Sequence, residues 1–284
     1  MISVKDLTYT YPSSQHQTLR GLNIDIARGE IFGFLGPSGS GKSTTQNILI
    51  GKLRQYGGSV RVFGEEMRRI GNGYYERIGV AFEFPHFYNR FTALENLTHF
   101  GLLYRKRVSE PMALLEQVGL REAAHKKVEH FSKGMKMRLN FCRAVLHDPE
   151  LLFLDEPTSG LDPAHADTLK RLIESRRAAG ATVLLTTHNM QVAEQLCDRV
   201  AFIADGQIQM IDTPRNLKLR LGERKVRVEY ESGEAQLTED FQLEGIGSNE
   251  RYLTLIRTHR IVTMHTLEAS LEDLFQTTIG CGES

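Results

Sequence analysis

Residues Gly36-Pro37-Ser38-Gly39-Ser40-Gly41-Lys42-Ser43 form the pattern GxxxxGK[ST]. Glycines in such a run let backbone N–H groups turn inward around phosphate oxygens. A helix beginning near Lys42 offers the same anion unpaired N–H groups and the positive end of its dipole. Lys42 is then placed to reach the β- and γ-phosphates of a nucleotide, and the Ser43 hydroxyl to bind Mg²⁺. Thr44 joins them as a candidate binding residue. A second chemical feature is Leu151–Glu156 (LLFLDE), an apolar run ending in two acids. Asp155 suits the Mg²⁺ shell and Glu156 suits the attacking water. Standing alone, the same run reads equally as an ordinary strand followed by an acidic helix cap.

The elements around these residues must hold them in place. Glu30–Leu35 is a short, mostly apolar run, as a buried strand requires, and Lys42–Ile50 reads as a helix. Strand, glycine-rich loop and helix in that order are the context a phosphate-binding loop needs. Leu22, Ile24 and Ile26 alternate with polar residues, the period of a half-buried antiparallel strand. Residues 59–63, 78–82, 151–154 and 182–186 read as further strands, and 163–179 and 189–196 as helices. Residues 93–146 read as mostly helical, with a break at Gly119 and a loop near 128–133. Asp205-Gly206 between two apolar runs is a two-residue hairpin turn. Strands alternating with helices predict an α/β core with a mixed, largely parallel sheet and antiparallel additions. A helix over 214–221 leads to Gly222, where the domain boundary is expected. Beyond it, strands over 226–230 and 252–256 and a helix over 267–277 predict a small α+β domain.

The composition agrees with a two-part globular chain. Of 284 residues, 40% are hydrophobic and 25% charged, which excludes a disordered or collagen-like chain. The formal net charge is zero, so no bulk charge draws the chain towards nucleic acid. Residues 222–284 carry six basic and twelve acidic side chains, leaving the preceding part basic by the same margin. An acidic tail on a mildly basic body argues for two units and against a tail that grips DNA or anionic lipid. No apolar run reaches the roughly 18 residues a spanning helix needs. The opening residues lack the layout of a secretion signal. Cys142, Cys197 and Cys281 are far apart and form no CxxC pair, so they read as incidental thiols in a reducing compartment. The expectation is a cytosolic chain.

Taken in order, several short segments resemble the ATP-binding subunits of ABC transporters, over nearly all of residues 1–221. Tyr11 stands where that family places an aromatic that stacks on adenine, and residues 36–43 match its phosphate loop. Phe131-Ser132-Lys133-Gly134-Met135 occupies the place of the signature LSGGQ. Residues 151–156 match the Walker B strand, Ser159-Gly160-Leu161-Asp162 the D-loop, and His188 the switch histidine. Taken singly, Tyr11 reads as packing and His188 as a structural histidine; only their places in the series promote them. The resemblance implies a RecA-like P-loop core with a helical subdomain over about 87–146. It implies two copies pairing head to tail around two ATP molecules. One copy supplies the phosphate loop, Asp155, Glu156 and His188, and the other supplies Ser132 and Gly134; Asp162 of the D-loop is counted among the nucleotide-binding residues. It also implies a separate membrane-spanning permease, with this chain peripheral on the cytoplasmic face.

This sequence departs from the family pattern at three positions. Lys133 replaces a usual glycine, Met135 replaces a usual glutamine, and Glu83 stands where a glutamine is usual. An ionised Glu83 cannot donate a hydrogen bond but offers oxygen to Mg²⁺. The aromatic stretch Phe82, Phe84, Phe87, Tyr88 and Phe91 follows at once, and reads either as core or as the surface where this family meets its membrane partner. Leu267–Phe275 is similar to the closing helix of ATPases from multidrug and sodium efflux exporters, and also fits an amphipathic helix packed on its own domain. The expected function is an ATPase that drives an exporter. The alternative is a soluble ABC-fold ATPase acting as a regulator or scaffold. DNA-maintenance and ribosomal ATPases of this fold are disfavoured, because there are no sustained heptads and only one phosphate loop.

Overall fold

The computed structural model describes residues 1–106, 108–221, 225–233, 235–267 and 270–280. Cys281 and the expected boundary residue Gly222 lie outside the described residues. The chain divides into two compact units, Met1–Thr213 and Pro214–Ser284.

In the first unit the elements run β1 (Ile2–Tyr9), β2 (Leu19–Ile26), β3 (Ile31–Leu35), α1 (Lys42–Leu49), β4 (Gly57–Val62), β5 (Glu65–Glu66), β6 (Ile78–Ala81), α2 (Ala93–Gly101), α3 (Pro111–Gln117), α4 (Lys133–Val145), β7 (Leu151–Asp155), α5 (Pro163–Ala178), β8 (Thr182–Thr187), α6 (Met190–Leu196), β9 (Arg199–Ala204) and β10 (Gln207–Asp212). Six strands form one sheet in the order β10-β9-β3-β8-β7-β6. All its pairings are parallel except β9–β10. β3 and β8 are buried along their whole length, which explains their unbroken apolar or threonine-rich sequences: interior parallel strands are covered on both faces. The β9–β10 hairpin turns through Asp205 and Gly206, both at positive φ, as a tight two-residue turn demands.

A second, antiparallel sheet has the order β2-β1-β4-β5. Its inward residues, among them Ile2, Val4, Leu22, Ile24 and Ile26, share one apolar core with Phe32, Phe34, Phe153, Leu184 and Ile203 of the parallel sheet and Ile48 and Leu49 of α1. The alternation read in β2 is the pattern of a strand with one face in that core.

The helical stretch is shorter and more broken than its sequence suggests. Residues 102–106, 108–110 and 118–132 are not α-helical, and Gly119 sits at φ +67 just past the end of α3. α2 starts on a capping box: the Thr92 hydroxyl accepts from Glu95 N, and Glu95 accepts from Thr92 N.

The second unit comprises α7 (Pro214–Leu221), β11 (Lys225–Ser232), β12 (Ala235–Gln242), α8 (Glu250–Thr258), β13 (Arg260–Leu267) and α9 (Leu271–Gly280). Its sheet is antiparallel, in the order β12-β11-β13. Val226, Val228, Tyr230, Phe241 and Leu255 make its core. Three expectations need correction. The compact unit begins at Pro214, ahead of the helix rather than after it, because α7 packs on α9. Residues 252–256 are helix rather than strand: Asn249 accepts from Tyr252 N as an N-cap, and Tyr252, Leu255 and Ile256 share one helical face towards the sheet. The last helix starts at Leu271, after Ser270 and Asp273 bond each other reciprocally, and Leu267 belongs to β13. β12 and β13 are strands the sequence reading passed over.

Candidate active site

The parallel sheet places its chemistry at one edge. β3 runs into the phosphate loop, β6 into Phe82-Glu83, β7 into Asp155-Glu156 and β8 into Thr187-His188. Register pairs Leu35 with Thr187, Asp155 with Thr186 and Ala81 with Leu154, so the four carboxyl ends are level. Ligands of open α/β sheets bind at such an edge. There, Tyr11, Gly36, Ser38, Gly39, Gly41, Lys42, Ser43, Thr44, Glu83, Asp155, Glu156 and His188 line one cleft of about 500 Å³. Pro37 and Ser40 belong to the same loop without lining the cleft. The Pro37 carbonyl accepts from Lys42 Nζ at 2.8 Å, and Ser40 is buried.

The loop geometry depends on glycine at two points. A Cβ on Gly36 would sit 2.2 Å from the Ile203 carbonyl oxygen, and Gly41, at φ +108, would meet Leu19 Cδ2 at 2.6 Å. Gly41 precedes α1, so the first turn of the helix opens on the cleft with no side-chain cap on its N–H groups. Lys42 Nζ donates to the Gly36 and Pro37 carbonyls at 2.7 and 2.8 Å. Burial lowers the Lys42 pKa, while the charges of Glu156, Asp155 and Glu83 oppose that shift. Tyr11 Oη lies 3.1 Å from Thr44 Oγ1, and its ring meets Tyr9 edge-on at 4.9 Å.

Burial raises the Asp155 pKa and the neighbouring Glu156 adds to the effect. A hydrogen bond from Thr186 Oγ1, the Glu83 backbone N–H and the charge of Lys42 pull the other way. Glu156 is buried, with a positive φ of 47 that an L-residue adopts only under constraint. Its carboxylate accepts from Thr187 Oγ1 at 3.0 Å and from the His188 backbone N–H at 2.7 Å, and lies 2.7 Å from His188 Nδ1. This carboxylate–imidazole pair can orient a water and present a donor to an anion. Three carboxylates therefore surround one lysine, an arrangement that a divalent cation would balance. Thr18, Thr186 and Thr187 also serve the cleft, and the sequence reading missed them; the threonine pair directly before His188 was the available signal.

Ser132, Gly134 and Asp162 lie outside this cleft. The Ser132 hydroxyl caps its own helix α4, accepting from Met135 N at 3.2 Å, and keeps its O–H free to donate. Asp162 caps α5 by accepting from His165 N at 3.1 Å and lies 2.5 Å from His165 Nδ1. The His165 contact holds its carboxyl below the usual range.

Beside the cleft, Val80, Phe82, Phe100, Leu103, Tyr104 and Arg143 line a groove of about 800 Å³. Around it Phe84 is 68% exposed, Leu102 79% and Leu103 68%. The aromatic stretch is thus divided: Phe82 packs against the core, while Phe84, Tyr88 and Phe91 face outward. Among the described residues no helix is long and apolar enough to cross a membrane.

The chain matches a family model described as "ABC transporter" over residues 19–159, and one described as "Fluoroquinolone efflux ABC transporter C-terminal domain" over residues 224–268. It is 49% identical over 276 residues to a fluoroquinolones export ATP-binding protein of Mycobacterium tuberculosis (strain CDC 1551 / Oshkosh), covering 97% of this chain and 92% of that protein. Among solved structures it is similar to an ATP-binding subunit of an ABC transporter, with a TM-score of 0.70 and 29% identity over 78% of this chain and 92% of the other. It is also similar to a dimeric ATP-binding cassette in a post-hydrolysis state bound to ADP and Pi, with a TM-score of 0.67 and 26% identity over 75% and 98%. The ordered motifs, the parallel sheet that gathers them and these likenesses agree: the chain belongs to the ABC transporter family, as an ATP-binding subunit whose ATPase is coupled to transport.

Proposed function

We propose that the cleft hydrolyses ATP as its Mg²⁺ complex to drive export by a separate membrane-spanning polypeptide, with a fluoroquinolone-like drug as cargo. The observation that carries the reading is the convergence of the phosphate loop, Asp155, Glu156 and His188 at one sheet edge. Glu156 acts as general base on the attacking water, His188 holds the γ-phosphate, and Lys42 neutralises charge as it develops there. Tyr11 stacks on the base. The export direction and the cargo class rest on the 49%-identical relative and the matched C-terminal family. Other relatives with export names, such as the Nod factor export proteins, weigh against a scaffold without a transport role.

Ser43, Asp155 and Glu83 line the cleft and would supply hard oxygen donors to Mg²⁺, Glu83 directly or through a water. Among the described residues no group of three or more His, Cys, Asp and Glu side chains is arranged to hold a metal. Mg²⁺ in nucleotide sites takes one or two carboxylates and completes its shell with phosphate oxygens and water, so this donor set fits it. When bound, the ion would neutralise phosphate charge.

A second copy of the chain completes the site with Ser132 and Gly134, and Asp162 lies at the same junction; the dimeric cassette with ADP and Pi supports this pairing. The groove beside the cleft, lined by the exposed Leu103, and the exposed Phe84 two residues past Phe82 receive the permease and make the chain peripheral on the cytoplasmic face. The second unit modulates dimerisation or turnover. The test is Mg²⁺-dependent ATP hydrolysis by the purified chain. Glu156→Gln should lower turnover by about 10²–10⁴-fold, the share of a general base, while ATP still binds. Wild-type turnover in that variant would remove Glu156 from the role.

A further inference from the structure

Lys133 stands where the family pattern has glycine, and its side chain has a definite place. Its Nζ donates to Ser159 Oγ at 3.2 Å. Its methylene stem lies on Gly160, where a Cβ would come within 2.9 Å of Lys133 Cδ and 3.2 Å of Cε. Gly160 has φ +73, so that position excludes a side chain twice over, by conformation and by the lysine stem. The next residue, Gly134, packs on the same turn, with its missing Cβ 3.0 Å from the Gly160 carbonyl oxygen. The N-terminus of α4 is therefore fastened to residues 159–160 by one hydrogen bond and one close-packed stem.

Residues 159–160 lead straight back to the candidate base. Ser159 N donates to the Glu156 carbonyl at 3.0 Å, and the Glu156 carboxylate is itself held by Thr187 and His188. A continuous set of contacts thus runs from Ser132-Lys133 to Glu156 within one chain. We propose that Lys133 is a positioning residue: it ties the segment that meets the partner's nucleotide to the loop carrying this copy's own Glu156, so that closure on one ATP sets the base at the other. The proposal rests on the dimeric reading given under Proposed function.

The test is a double-mutant cycle on the full chain with Lys133→Met, which keeps the stem and removes the ammonium, and Ser159→Ala. Each single change should lower kcat about three- to ten-fold, the weight of one side-chain hydrogen bond, with ATP KM unchanged. The double variant should lose no more than either single one, the Hill coefficient for ATP should fall towards one in all three, and Lys133→Arg should restore most of the rate. Wild-type kcat and Hill coefficient in Lys133→Met would overturn the proposal, as would losses that multiply in the double variant. A merely structural role would lower the melting temperature without moving the Hill coefficient, which also overturns it. Failure of the dimeric reading shows separately, as Glu156→Gln protein with Lys133 intact that stays monomeric in ATP.

Discussion

The described residues that line the candidate cleft belong to Met1–Thr213, where five strands run parallel in one sheet. The unit Pro214–Ser284 builds an antiparallel sheet of three strands with α8 against one face. The contrast is physical. Parallel strands end at the same edge, so four successive loops deliver side chains to one place, and burial on both faces fixes where each loop starts. An antiparallel sheet sends alternate strand ends to opposite edges. Its open face here carries ion pairs such as Arg227–Asp240 at 2.7 Å, and exposed pairs of that kind add little stability.

The largest effect that sharpens this contrast is expected at Phe153, fully buried in β7 and two residues from Asp155. Phe153→Ala should cost about 3–5 kcal/mol and weaken ATP binding with it, because the strand that carries the acids loses its anchor. Thermal unfolding followed with and without nucleotide measures both. Unchanged ATP affinity would detach the site from the core of its sheet.

Leu255, the fully buried residue of α8, is the counterpart. Leu255→Ala should destabilise the second unit by about 2–5 kcal/mol and leave ATP affinity as it was. Loss of nucleotide binding in this variant would break the division into two independent cores. At Tyr11, replacement by Ala should weaken ATP binding by about 1–3 kcal/mol, on the scale of base-on-aromatic stacking. An unchanged affinity, measured by titration calorimetry, would return Tyr11 to packing against Tyr9. The smallest effect is expected at Glu83. Without Mg²⁺ its carboxylate repels the γ-phosphate, so Glu83→Gln should make ATP binding less dependent on Mg²⁺ while hydrolysis persists. The same Mg²⁺ dependence in both proteins would place Glu83 outside the metal's surroundings.

The two units were also unequally legible in the sequence. In the first, three of the four strands that carry chemistry end on a residue type that marks them: Gly36 after β3, Asp155 at the end of β7, His188 after β8. Buried parallel strands are short and almost wholly apolar, so their limits stand out. In the second, β12 (AQLTEDFQ) buries only Phe241, and an edge strand with one buried residue has no alternation to read. Tyr252–Ile256 is a short, mostly apolar run that a strand or a helical face could both supply; the Asn249 cap decides for the helix. The support of Glu156 by Thr187, and the fastening of Lys133 to Ser159, depend on contacts between residues about 26 to 31 positions apart that no local pattern reports.

The central claim is that Glu156 acts on an ATP enclosed between two copies of this chain. Size-exclusion chromatography of Glu156→Gln protein with Mg²⁺ and either ATP or ADP tests it most directly. ATP should convert the 32.2 kDa chain to a stable dimer and ADP should not, because only the γ-phosphate reaches Ser132 and Gly134 of the second copy. A variant that binds ATP at saturation and still elutes as a monomer would contradict the account.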